Sequence, residues 1–219
     1  MQRSQVSSRL LAHRGIWNEF QTGNSPEALT SAVEYGYGIE TDLRDYLGTL
    51  VVEHDLSSSE STSVAILVEL VNSRSVGAEG PIALNIKSDG LLKLVTSFSK
   101  ELSEARHFYF DMSFPQMLQY ARHRLPIAVR VSEFEPVDWG LIAALNLGSR
   151  WWLDAFDSDW WLKDPVARRL VAGGEVHIVS PELHGRDPRA PPERAARWRF
   201  ALIVFPQPAS ERERERESW

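Results

Sequence analysis

The sequence predicts an α/β protein, and within that class a (β/α)8 barrel. Eight short apolar runs have the length of β-strands, and segments with helical spacing separate most of them. Strands that alternate with helices in this way form parallel sheets, and a count of eight favours a closed barrel over an open doubly wound sheet. The length of 219 residues suits one large domain better than two.

The strands and helices can be placed individually. The predicted strands are 10–13, 39–43, 82–87, 107–111, 127–131, 151–155, 176–179 and 201–205. The first helix begins at Asn24-Ser25-Pro26-Glu27, where a capping side chain precedes proline and an early carboxylate, and glycine ends it at Gly36. The later helices are predicted at 64–72, 89–104, 115–122, 137–145 and 165–172. A short β-hairpin over 46–52, with glycine in its turn, follows the second strand.

Composition sets limits on the class of protein. We expect a flexible N-terminus over 1–9, a single barrel domain over 10–208 and a disordered charged tail over 209–219. The net charge of −6 gives no sign of a nucleic-acid surface, and the absence of cysteine excludes disulfides and thiolate metal sites. No apolar run is long enough to span a membrane and no signal peptide is seen, so a cytoplasmic protein is expected. The oligomeric state stays open.

Polar residues follow several of the predicted strands, at the end where barrel enzymes carry their active sites. Glu40 and Asp42 are two positions apart, so both carboxylates point to one face of a strand. Two like charges side by side are costly unless a cation lies between them, and hard oxygen ligands suit Mg²⁺ or Ca²⁺. The alternative is that one carboxylate pairs with Arg14, Arg44 or Lys87 and that no metal is bound.

Two histidines and two cations complete the candidate site. His13 and His54 each stand at a strand end directly before a charged residue, and imidazoles carry protons near neutral pH. Arg14 and Lys87 are candidates to bind phosphate oxygens. The alternatives are a structural role for each histidine and surface salt bridges for the two cations.

Several ordered motifs over about residues 10–90 resemble the glycerophosphodiester phosphodiesterase family, and also the related sphingomyelinase D and phosphatidylinositol phospholipase C barrels. They are Ala12-His13-Arg14-Gly15, Asn24-Ser25-Pro26-Glu27-Ala28, Glu40-Thr41-Asp42-Leu43-Arg44, Gly48-Thr49-Leu50-Val51-Val52-Glu53-His54-Asp55 and a strand that ends Ile86-Lys87. The resemblance implies a phospholipase-C-like (β/α)8 barrel that cleaves a small-molecule or lipid-derived phosphodiester, with one divalent cation as cofactor.

The resemblance also implies roles for individual residues. His13 and His54 would be the acid–base pair, and Arg14 and Lys87 would contact the phosphate. Glu40, Asp42 and Asn85 would be the metal ligands, with Asp55 and Asp111 as possible supporting carboxylates. Which histidine is the acid, and whether the product is cyclic or open, are left undecided.

The sequence departs from the family pattern in three places. Asn85 stands where the family usually has an acidic ligand, so we expect modest cation affinity that Asn85→Glu would tighten. Asp111 either supplies the missing charge or caps the helix that follows. The span 55–81 is too short for the family's insertion domain, and the last strand lacks the Thr-Asp that often ends it.

Two other functions remain open from the residues. The departures from the family pattern are compatible with a degenerate barrel that binds a phosphorylated ligand or a partner without turnover. A sugar-processing barrel could use Glu40 and Asp42 as paired carboxylates, although their spacing is close for a glycosidase and leaves the histidines without a task.

Overall fold

The structure is a computed structural model that describes residues 10–17, 22–73, 80–102, 106–135, 138–147, 150–162, 174–186 and 201–203. Strands and helices alternate along these residues, which confirms the α/β class. The chain divides into two compact units, residues 1–127 and 128–219. The predictions for 1–9, 165–172, 204–205 and 209–219 lie outside the described residues.

The first unit is built on a parallel sheet with strand order β1-β2-β5-β6. Its strands are β1 (Leu10–His13), β2 (Gly38–Tyr46), β3 (Thr49–Val52), β4 (Thr62–Ser63), β5 (Ile82–Ile86) and β6 (His107–Phe110). Its helices are α1 (Pro26–Glu34), α2 (Ala65–Ser73), α3 (Leu92–Glu101) and α4 (Phe114–Arg122). Each agrees with the sequence prediction to within three residues at either end, except β4, which the sequence does not predict.

The two faces of this sheet have different chemistry because side chains alternate along each strand. One face is apolar and packs against the helices in a single core. Its largest contributors are Ile39, Leu43, Ile82, Leu84 and Tyr109 from the strands, with Leu29, Leu67, Val95, Phe98 and Tyr120 from the helices. Burial of each such side chain contributes about 1.5–3 kcal/mol. The opposite face, which these helices do not cover, carries the polar residues of the candidate site.

The hairpin predicted after the second strand is present. β2 and β3 pair antiparallel from Leu43–Val52 to Tyr46–Thr49, and β4 adds to β3. The turn residues Leu47 and Gly48 have φ of 49° and 82°, and positive φ at both centres is the turn whose twist matches a hairpin. The pairing returns the chain to Asp42, where the backbone N–H of Glu53 donates to the Asp42 carbonyl at 3.2 Å.

The second unit has four parallel strands in chain order among its described residues: β7 (Val129–Val131), β8 (Arg150–Leu153), β9 (Glu175–Ile178) and β10 (Ala201–Ile203). Helix α5 (Trp139–Ala144) begins at the side-chain cap Asp138. No helix in the described part of the chain is both long and apolar enough to span a bilayer.

Candidate active site

The candidate site lies where the C-terminal ends of β1 and β5 flank the middle of β2. The parallel register sets His13 of β1 directly beside Glu40 of β2, and Asp42 of β2 directly beside Asn85 of β5. Residues in register on neighbouring strands share a face, so these four side chains occupy the polar face of the sheet. The register therefore brings together one predicted histidine and the predicted metal ligands, which are up to 72 residues apart in sequence.

The turn after β1 is shaped by Gly15. Its φ is +88°, and a Cβ added there would lie 2.4 Å from the backbone carbonyl of Ala28. Only glycine therefore lets the first turn of α1 approach this closely, and the N–H of Ile16 donates to the Ala28 carbonyl at 2.9 Å. The turn also places the backbone of Arg14 beside Glu40 of β2: the Arg14 N–H donates to the Glu40 carbonyl at 2.7 Å.

Asp42 is the most fully neutralised acid of the site. Its side chain is 1% exposed; Nε of Arg14 lies 3.2 Å from Oδ2, and Nζ of Lys87 lies 3.4 Å from Oδ1. The side-chain amide of Asn24 donates to Oδ2 at 2.8 Å. The ion pair of the alternative interpretation is therefore present, whereas the cation stays a prediction. The phosphate-binding roles of Arg14 and Lys87 stay predictions.

Asn24 is the site residue that the sequence analysis missed. It was read only as part of a helix start, but the side-chain cap of α1 is Ser25, whose Oγ accepts from the N–H of Ala28. Asn24 adopts φ 65° and is 6% exposed, and its Oδ1 accepts from the hydroxyl of Thr41 at 2.7 Å. Asn24 and Ser25 are neighbours whose side chains could each cap a helix, and Ser25 alone fills that role. This redundancy is the feature of the sequence that could have indicated another role for Asn24.

Glu40 is buried without the compensation that Asp42 has. It is 3% exposed, and its Oε2 lies 3.8 Å from Nε2 of His13, too far for a hydrogen bond. Burial first, and then the neighbouring charge of Asp42, raise the pKa of Glu40 to about 8. A buried carboxylate with a strongly raised pKa in a cluster of chemically active groups is typical of a functional site.

The two histidines are held differently. Burial, then the charges of Arg14 and Lys87, lower the pKa of His13 well below its usual value. The same three causes lower the pKa of His54, whose Nδ1 lies 3.0 Å from Oδ1 of the exposed Asp55. The Nε of Arg44 donates to the His54 carbonyl at 3.0 Å, so Arg44 supports the backbone of this histidine. Both imidazoles are therefore neutral near pH 7 in the free protein.

Asn85 and Asp111 complete the cluster. Asn85 is 7% exposed, its side-chain N–H donates to Oδ2 of Asp111 at 3.3 Å, and its Oδ1 is buried with no hydrogen-bond partner among the described residues. Asp111 does not cap α4, because Ser113 accepts from the N–H of Gln116 in that role.

Two oxygen atoms of the candidate site suit a hard cation. Oε2 of Glu40 and Oδ1 of Asn85 are both buried oxygens without a hydrogen-bond donor in the described part of the chain. Hard cations take such oxygens, and a positive charge would offset the cost of ionising Glu40. Among the described residues, no group of three or more His, Asp or Glu is placed to hold a metal ion. The residues fit a hard cation whose protein ligands include one neutral oxygen.

The sequence matches no protein-family model and has no significant match among curated proteins. The fold, by contrast, is similar to that of several solved structures. A glycerophosphodiester phosphodiesterase from Parabacteroides distasonis ATCC 8503 is 19% identical, with TM-score 0.62 over 97% of this chain and 98% of that one. The corresponding enzyme from Agrobacterium tumefaciens str. C58 is 15% identical, with TM-score 0.64 over 95% and 99%.

A phosphodiesterase from Oleispira antarctica, solved in complex with the product sn-glycerol-3-phosphate, is 16% identical, with TM-score 0.59 over 90% of this chain and 92% of that one. The resemblance to the glycerophosphodiester phosphodiesterases is thus confirmed at the level of the fold, over nearly the whole length of both chains.

Proposed function

We propose that this protein is a phosphoric diester hydrolase that acts on a glycerophosphodiester-type substrate, on a (β/α)8 barrel within one domain over residues 10–208. The observation that carries the proposal is the convergence of His13, Glu40, Asp42 and Asn85 on one face of three adjacent parallel strands. This arrangement occurs in a chain whose fold is similar to that of a solved glycerophosphodiester phosphodiesterase. It is also similar to that of a phosphodiesterase solved in complex with its product sn-glycerol-3-phosphate.

The chemistry needs a base, an acid and positive charge around the phosphate. One histidine takes the proton of the attacking water or substrate hydroxyl, and the other gives a proton to the leaving alkoxide. His13 is the more deeply buried and suits the neutral base. His54 has a carboxylate on Nδ1, and a bound phosphate anion would favour its protonated form, so it suits the acid.

Glu40, Asp42 and Asn85 would hold one divalent cation, Mg²⁺ or Ca²⁺. When bound, the cation would neutralise negative charge on the non-bridging phosphate oxygens. Arg14 and Lys87 have further N–H donors beyond their contacts with Asp42, and these suit the same oxygens.

Phosphorus NMR with a panel of glycerophosphodiesters, with and without a chelator, tests the proposal. The expected result is a new phosphomonoester or cyclic phosphate signal that requires a divalent cation and disappears in His13→Ala. If no substrate in the panel is converted under Mg²⁺, Ca²⁺ or Mn²⁺, the proposed activity is wrong.

A binding protein without turnover is the second candidate. The amide at position 85 and the engagement of Arg14 and Lys87 by Asp42 favour it. Thermal stabilisation by glycerophosphodiesters, with no product in the same NMR assay, would select this function instead.

A further inference from the structure

Asn85 is the least expected residue of the candidate site, because an amide carries no charge to attract a cation. Its position nevertheless has the properties of a ligand. The residue is 7% exposed, it lies in register beside Asp42, and its Oδ1 is buried with no hydrogen-bond donor among the described residues. A buried acceptor left without a donor destabilises the fold unless a ligand satisfies it.

The orientation of the amide is set by Asp111. A carboxylate only accepts hydrogen bonds, so the contact at 3.3 Å with Oδ2 of Asp111 must be made by the NH₂ group of Asn85. Oδ1 therefore points away from Asp111. Donation from the amide to a full negative charge also draws electron density toward Oδ1, which makes this oxygen a better cation ligand.

The helix that follows Asp111 does not explain the backbone conformation of this residue. Asp111 has φ 64°, a conformation that is unfavourable for a non-glycine residue, and Ser113 rather than Asp111 caps α4. The conformation does bring the carboxylate to Asn85.

We infer that Asn85 and Asp111 act together as the third cation ligand: Asn85 supplies the coordinating oxygen, and Asp111 positions it and supplies the negative charge. Asp111 is thus a positioning residue. This inference rests on the proposed function, because it assumes that the site takes a divalent cation. It also changes the expectation for Asn85→Glu, since a carboxylate at position 85 would face the like charge of Asp111 and gain less affinity than the sequence alone suggests.

Titration calorimetry of the whole protein with Mg²⁺ and with Ca²⁺ tests the inference directly. We compare wild type, Asp111→Asn, Asn85→Asp and the double variant Asn85→Asp/Asp111→Asn. Loss of a residue that orients a metal ligand typically weakens binding 10–100-fold, and Asp111→Asn should fall in that range. The double variant moves the negative charge onto position 85 and keeps an amide beside it, so it should recover affinity to within a few-fold of wild type.

Asp89→Asn is the matched control, because it removes one negative charge from the exposed loop that follows the same strand. It should leave the dissociation constant nearly unchanged. Thermal unfolding of each variant in chelator separates loss of binding from loss of fold. Recovery of cation affinity in the double variant would also show that Asp111→Asn does not act through misfolding.

The outcomes distinguish this inference from the proposed function. Cation binding by wild type that is equally tight in Asp111→Asn overturns the inference and leaves the phosphodiesterase proposal intact. A double variant that binds no better than Asp111→Asn also overturns it. If wild type binds neither cation yet converts substrate in chelator, the activity stands, whereas the cation site and this inference both fall.

Discussion

Glu40 in the candidate site of the first unit and the acids near the strand ends of the second unit differ in how far local partners satisfy them. In the first unit, Oε2 of Glu40 and Oδ1 of Asn85 are buried and have no hydrogen-bond partner among the described residues. In the second unit, the acids near the strand ends have local partners. Asp154 lies 3.0 Å from Nε2 of His184, and Asp159 accepts from Arg186 at 2.7 Å.

Glu133 gives the clearest contrast with Glu40. Its carboxylate accepts hydrogen bonds from the backbone N–H groups of Phe156, Asp157 and Ser158 at 2.8–3.3 Å. Burial acts to raise the pKa of Glu133, but these backbone hydrogen bonds outweigh it and the pKa is lowered. The pKa of Glu40 is raised to about 8.

The unsatisfied oxygens of Glu40 and Asn85 indicate that the candidate site lowers the stability of the fold. A folded chain normally satisfies its buried polar groups, as the second unit does for these acids. Unsatisfied acceptors that persist beside two histidines, an arginine and a lysine are best explained by a ligand that supplies the missing positive charge. The following predictions test this contrast.

The largest effect is expected for His54→Ala. Loss of a general acid or base lowers turnover by about 10²–10⁴-fold, whereas the half-exposed His54 contributes little to packing. The measurement is the initial rate of phosphodiester cleavage, with unfolding temperature as the test of fold. His123→Ala is the control, because His123 is an exposed histidine whose ring nitrogen Nδ1 lies 2.9 Å from the Gln119 carbonyl on its own helix end. Equal rates for the two variants would exclude His54 from catalysis.

The second effect concerns the pH dependence of stability in the absence of cation. The pKa of Glu40 is raised in the folded state from its usual 4.5 to about 8, so the folded protein binds this proton more tightly than the unfolded chain. Stability is therefore fully present below pH about 4.5 and is lost as the pH rises toward about 8. The loss is on the order of 3 kcal/mol at pH 7, and a divalent cation should offset it most at the upper end of this range.

Glu40→Gln should remove this dependence, because it buries no ionisable group at that position. In chelator at pH 8 the variant should unfold at a higher temperature than wild type, and added Mg²⁺ or Ca²⁺ should no longer stabilise it. Glu34→Gln, an exposed position on α1, serves as the control. If Glu40→Gln is less stable than wild type at pH 8, the ionised carboxylate of Glu40 does not destabilise the fold, and the contrast between the units is wrong.

The sequence predicted most of the strands and most of the residues that meet in the candidate site, because both depend on local patterns. Apolar runs between turn residues defined the strands, and the i, i+2 spacing placed Glu40 and Asp42 on one face. The parallel register then determined which strand ends meet. The ends of elements were less accurate where pairing decided them: β2 continues to Tyr46 because β3 pairs with it.

The parts that could not be read from the sequence depend on contacts between distant residues. Whether Arg14 and Lys87 face the solvent or Asp42 is decided by which buried charge lies within reach, and the sequence left both possibilities open. The contact of Asn24 with Asp42 spans 18 residues and depends on a left-handed backbone. No local pattern contains that information.

Asn24→Gly should have an intermediate effect. Glycine accepts the left-handed backbone, so the substitution isolates the loss of the hydrogen bonds to Asp42 and Thr41. We expect a loss of about 1–2 kcal/mol in the free energy of unfolding by urea denaturation. Asn146→Gly is the matched control, because Asn146 is also left-handed, with φ 51°, but is exposed. It should be neutral or slightly stabilising, and a similar loss in both variants would mean that Asn24 contributes through its backbone alone.

The smallest effect is expected for Glu133→Gln in the second unit. Gln keeps an acceptor but loses the charge that strengthens the three backbone hydrogen bonds, and solvent screens this partly exposed group. The loss should be about 0.5–1 kcal/mol at pH 7. Because the pKa of Glu133 is lowered in the folded state, its advantage over Gln exists above pH about 4.5 and is lost as the pH falls through the folded pKa.

Glu133 and Glu40 therefore make opposite contributions to the pH dependence of stability. Replacing Glu133 should lower stability at neutral pH and have little effect in acid, whereas replacing Glu40 should raise stability at neutral pH. Urea denaturation at pH 3.5 and at pH 7 measures both. Glu133→Gln should keep the phosphodiesterase rate, because its carboxylate is satisfied by backbone groups of its own unit. A rate loss comparable with that of His54→Ala would mean that a fully satisfied acid can also be functional, and the contrast between the units would no longer identify the site.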